Sequence, residues 1–60
     1  MTKEQVRKIR LARGLDQTEF AEVLCVSKTT ICNWETGLKE PSARSIKKLL
    51  AYCKENKIKV

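Results

Sequence analysis

Sixty residues make one domain near the lower size limit for folding without disulfides, metals or a partner subunit. Thirteen Lys and Arg against seven Asp and Glu leave a net charge of +6. That field attracts polyanions, nucleic acid first and an acidic membrane surface second. The chain has no His, no apolar run approaching the ~20 residues of a membrane span, and no signal-peptide pattern. Together these exclude a membrane-spanning protein and predict a soluble, cytoplasmic one.

Thr2 followed by Gln5 is a capping box that starts a first helix at Lys3. Its inner stripe is Val6, Ile9, Arg10 and Arg13, and Gly14 supplies a left-handed stop. After the connector Leu15, Asp16 and Glu19 repeat the capping signature for a second helix that presents Phe20, Ala21 and Leu24. Leu24-Cys25-Val26 leaves room for a three-residue turn before Ser27 caps a third helix, which Gly37 ends. Lys39-Glu40-Pro41-Ser42 is a loop, and Ser42 caps a fourth helix with the stripe Ile46, Leu49, Leu50 and Cys53, fading near Glu55 to Asn56. The tail, residues 56–60, alternates polar and apolar side chains, so a short strand, a further helical turn and a frayed end all fit. The expectation is a single all-α domain over residues 1–60, with four short helices, or five if the tail winds on.

Cys25, Cys32 and Cys53 are odd in number and match no metal-ligand spacing. They read as reduced thiols, Cys53 in the core, Cys25 in the turn and Cys32 partly exposed. Neither a metal nor a cofactor is expected, and with no paired-carboxylate cleft or glycine-rich phosphate loop an enzyme has almost no support.

Two helix starts so close together, with three residues between the helices, have the spacing of a helix-turn-helix over about residues 17–36. Around the third helix, Ser27, Thr30, Ile31 and Trp34 fall on one side. Lys28, Thr29, Cys32, Asn33 and Thr36 fall on the other. One side is built for burial, and the other is short, polar and hydrogen-bonding, where an ordinary surface helix would carry mixed Glu and Lys.

Gln17-Thr18-Glu19-Phe20-Ala21, then Val26-Ser27-Lys28-Thr29-Thr30-Ile31, then Asn33-Trp34-Glu35-Thr36-Gly37 leading to Pro41-Ser42, together with Arg10, resemble the lambda-repressor-like helix-turn-helix family of phage repressors and Cro proteins. The resemblance runs from about Val6 to Cys53. It implies a small helical domain that binds operator DNA, usually as a dimer. It also implies that Arg10 pairs with Glu35, and that Gln17 with the adjacent amides of the second helix clamps a phosphate. Two departures stand out. Cys25 occupies a turn position where glycine is common, so backbone strain is expected there. The chain also stops where many relatives carry a fifth helix that helps form the dimer.

Lys28, Thr29 and Asn33 are the candidate base readers. Lys28 suits guanine O6 and N7, and Thr29 suits a thymine methyl or an acceptor. Asn33 suits adenine N6 and N7, or a phosphate at its depth along the helix. Ser27 and Thr30 serve capping and packing, with phosphate contact open to both, and Thr36, Lys39, Arg44 and Lys47 are candidate phosphate contacts, with Lys48 beside them. Trp34 points inward. The function expected is a sequence-specific transcriptional regulator on a double-stranded operator, assembled as a weak homodimer on DNA, with no membrane or small-molecule partner. The rival reading is an antitoxin-type or accessory regulator whose main partner is another protein.

Overall fold

The computed structural model describes residues 1–59 and has four helices: α1 (Lys3–Ala12), α2 (Gln17–Leu24), α3 (Lys28–Thr36) and α4 (Ala43–Glu55). The fold is all-α. Each helix begins where a side chain relieves its free amides. Thr2 Oγ1 accepts from the Gln5 amide at 3.2 Å, and Asp16 Oδ1 accepts from the Glu19 amide at 2.7 Å. In both, the third residue's side chain bonds back to the cap amide, completing a capping box. Ser27 and Ser42 cap α3 and α4 from a single side.

Three helices end in the same hydrogen-bonded reversal, around Gly14, Cys25 and Lys57, all at left-handed φ. The Leu15 amide donates to Arg10 O, the Val26 amide to Ala21 O, and the Ile58 amide to Cys53 O. This is the Schellman closure, which satisfies the last carbonyls and folds the next apolar residue back onto the domain. Leu15, Val26 and Ile58 are the apolar residues so returned, and all three pack partly against the core. The tail is therefore an α4 closure through Ile58, rather than a strand, a fifth helix or a frayed end; Val60 lies outside the described residues.

Cys25 at φ +57° carries the strain expected of a residue with a Cβ. Its side chain is exposed, so little packing depends on it. Cys25→Gly is expected to stabilise the fold by about 0.5–1 kcal/mol, read as a higher urea midpoint at unchanged slope.

The core consists of Val6, Ile9, Phe20, Ala21, Leu24, Ile31, Trp34, Leu49 and Cys53. Every helix contributes to it, and α3 packs against both α1 and α2. Phe20 meets Tyr52 edge to face, with ring centroids 6.0 Å apart. Burial pushes the Cys53 thiol above its ordinary pKa. Two expected core positions are corrected. Arg13 is exposed, because α1 closes at Ala12 and the chain turns away before its side chain reaches the interior. Leu50 is 49% exposed, because Leu49 and Cys53 already fill the contact between α4 and the rest of the core.

Candidate nucleic-acid interface

α3 is divided largely as its wheel predicts, except that Ser27, placed on the inner side, is exposed at the cap and Thr30 is only half-buried. Ile31 and Trp34 are buried, whereas Lys28, Thr29, Cys32 and Thr36 are exposed and Asn33 is half-buried. The turn before it differs slightly in register from the expectation: Leu24 is the last residue of α2, and Cys25-Val26-Ser27 make the link. Ser27 Oγ accepts from the Thr30 amide at 3.2 Å and lies 2.9 Å from Thr30 Oγ1. Both hydroxyls are thus engaged in the cap, with their remaining lone pairs and the exposed rim of Ser27 left for solvent or a phosphate. At the other end, Asn33 O accepts from Thr36 Oγ1 at 3.3 Å and from the Lys39 amide at 3.2 Å. These bonds fold the Gly37–Lys39 segment against the end of α3 and bring exposed Lys39 beside exposed Thr36.

The inner face of α3 is fixed by a fork. Arg10 Nε donates to Glu35 Oε2 at 2.8 Å and Arg10 Nη2 to Glu35 Oε1 at 3.0 Å, while Arg10 Nη1 donates to Leu15 O at 2.9 Å. The side chains are only 13% and 7% exposed, so this is a shielded bidentate pair rather than a surface one. One guanidinium thereby ties α1, the α1–α2 connector and the end of α3 together. The planar, two-pronged geometry resists rotation of α3 about its own axis, which would otherwise redirect its outward face.

Gln17 stands half-buried at the first turn of α2. A polar recess there is lined by Arg10, Asp16, Gln17, Thr18 and Lys28. Free amides at a helix start favour an anion, and the Lys28 ammonium on the rim adds a full positive charge. Lys28 therefore borders both the α3 face and the α2 start, which the linear spacing did not reveal. Thr18, in the first turn of α2, lines the same recess and was not singled out from the sequence. Arg44 and Lys47 are exposed on α4, but Lys48 turns aside and donates to Leu24 O at 3.3 Å. Among the described residues no three His, Cys, Asp or Glu side chains gather as a metal-binding group. Among the described residues no helix is long and apolar enough to cross a membrane.

A tight turn between two short helices, with the second one's polar face held outward, defines the class: a helix-turn-helix domain. A helix-turn-helix family model matches residues 6–56, and the chain belongs to that family, the lambda-repressor-like helix-turn-helix domains. It is similar to the HTH-type transcriptional activator BcrR of Enterococcus faecalis, 39% identical over 44 residues, which is 73% of this chain. The match spans 22% of that relative's length. No solved structure matches the chain at a significant level.

Proposed function

We propose that this domain is a sequence-specific regulator of the repressor or Cro type, placing α3 in the major groove of a double-stranded operator. The observation that carries the reading is the outward face of α3, with Lys28, Thr29 and Asn33 presented by a helix whose inner face is locked by Arg10 and Glu35. Lys28 donates to guanine O6 and N7, Thr29 meets a thymine methyl or an acceptor, and Asn33 bridges adenine N6 and N7. Gln17, Ser27, Thr30, Thr36, Lys39, Arg44 and Lys47 hold the flanking phosphates and set the register. One such face covers few base pairs, so two copies occupy half-sites roughly 34–36 Å apart, associating weakly when free. Occupancy blocks polymerase where the operator overlaps a promoter.

Replacing Lys28, Thr29 or Asn33 by Ala is expected to weaken operator binding by about 1–3 kcal/mol each, with far smaller effects on scrambled duplex. The operator is first selected from a random duplex pool, and each variant is then titrated against both DNAs. Equal losses on the two would move that residue from base reading to phosphate contact, an outcome to which Lys28 is the most exposed because it also borders the α2 recess.

The apolar residues left over from the helix stripes, Leu38, Tyr52, Ile58 and Val60, are the candidates that the sequence offers for contact between copies. Tyr52 and Ile58 are packed partly against the core, and Val60 lies outside the described residues. Leu38 is 74% exposed and keeps its candidacy. Among the described residues, the other exposed large apolar side chains are Leu11, Val23 and Leu50.

A further inference from the structure

A second recess lies at the far end of α3, where the start of α1 meets the segment that follows Gly37. Lys3, Trp34, Thr36 and Lys39 border it, and Glu4 and Glu40 complete its charged rim. The stem of Lys3 runs over the end of α3, since a Cβ added to Gly37 would stand 3.4 Å from Lys3 Cδ. The negative end of the α3 dipole favours an ammonium at that place. Among the described residues the ion pair is that of Arg10 with Glu35, and neither Lys3 nor Lys39 has such a partner.

Trp34 adds a directed donor. The residue is only 5% exposed, and its indole N–H donates to no group of the described residues. Among those residues no side-chain nitrogen or oxygen is both shut off from solvent and unpaired, so this N–H keeps an opening. The recess is where Trp34 reaches the surface, and the N–H therefore faces into it.

We infer that this recess seats a backbone phosphate of the bound duplex, held by Lys3, the Trp34 indole N–H and Lys39. The inference rests on the operator reading and adds two residues to it, Lys3 from α1 and Trp34 from the inner side of α3. Two flexible ammoniums supply charge and the indole supplies one aimed N–H, a combination suited to phosphate oxygens. Thr36 joins the recess to the outward face of α3, so a duplex lying on that face passes its mouth. Glu4 and Glu40 oppose a free anion and leave the seat to a phosphate that the rest of the interface delivers.

Trp34 is the single tryptophan, so one indole signal in a nitrogen–proton NMR spectrum reports on the recess alone. Operator and scrambled duplex are both expected to move that signal downfield, because they share the same backbone. Inorganic phosphate at the same phosphate concentration should leave it in place. Lys3→Ala should weaken binding to both duplexes roughly fivefold to tenfold at about 0.1 M salt, and make the salt slope shallower by about 0.9 per copy. Lys3→Arg should restore both quantities, whereas Lys8→Ala, about 140° around α1 from Lys3, should change the slope far less. Thermal melts check folding, and Lys3→Gln, which keeps the stem over Gly37, carries the test if Lys3→Ala loses structure. The proposal is overturned if duplex binds with the indole signal unmoved, if the Lys3 variants keep the original slope, or if inorganic phosphate moves the signal as far as duplex does. Failure of the original chain to bind either duplex would instead overturn the operator reading, and this seat with it.

Discussion

Raising salt from 50 to 200 mM is expected to weaken duplex binding by roughly three orders of magnitude. Lys39, Arg44 and Lys47 are exposed, and two copies bring six such cations to the phosphates. Each neutralised phosphate contributes about 0.9 to the slope of log affinity against log salt, giving a slope near −5 for six. Lys28 steepens it if its ammonium settles on the α2 recess rather than on a base. Arg44→Ala or Lys47→Ala should make the slope shallower by about 0.9 per copy while sequence preference stays the same. A titration series at several salt concentrations gives both quantities. A flat profile for the unaltered protein would remove nucleic acid as its main partner, whatever its net charge of +6 suggests.

Arg10→Met is expected to destabilise the fold by about 3–5 kcal/mol, a large share of what so small a domain possesses. The loss follows from what remains behind. Glu35, with its side chain 7% exposed, would keep its charge with neither guanidinium donor, and Leu15 O would lose the bond that anchors the α1–α2 connector. Arg10→Met combined with Glu35→Leu should recover much of the loss, because a shielded ion pair gives little net stability over an apolar pair of similar size. Denaturant melts of the original, both single variants and the double variant yield the coupling energy. Additive losses would mean that the two charges act separately. The double variant is also informative on DNA: if the fork fixes the rotation of α3, stability should return further than operator affinity does.

Local chemistry was legible along the chain because the signals act within a few residues. Thr2 with Gln5, Asp16 with Glu19, Ser27 and Ser42 each mark a helix start by bonding an amide three positions on. The apolar spacing placed Phe20, Leu24, Ile31, Trp34, Leu49 and Cys53 inside, and the structure buries all six. The same spacing made Lys28, Thr29, Cys32, Asn33 and Thr36 one polar face. Cys25 was marked as a strained turn by the absence of glycine where a left-handed residue is needed, and its φ is +57°.

What periodicity cannot supply is which of two adjacent apolar positions meets another helix. Leu49 and Leu50 are both plausible on the wheel, and only the placement of α4 on the core buries the first and leaves the second half exposed. The tail was ambiguous for a related reason. Lys57 adopts a left-handed φ without being glycine, held by the Ile58 amide bond to Cys53 O and by Ile58 settling against the core, which lies outside the reach of local propensity. The bond of Lys48 to Leu24 and the recess that joins Lys28 to Gln17 link residues from different helices. The sequence by itself determined the four helices, their caps and the outward polar face of α3, because hydrogen bonds and side-chain periods within one turn decide them. The tertiary structure alone decided which exposed charges and apolar residues share a surface, because that depends on how whole helices cross, at distances no local pattern encodes.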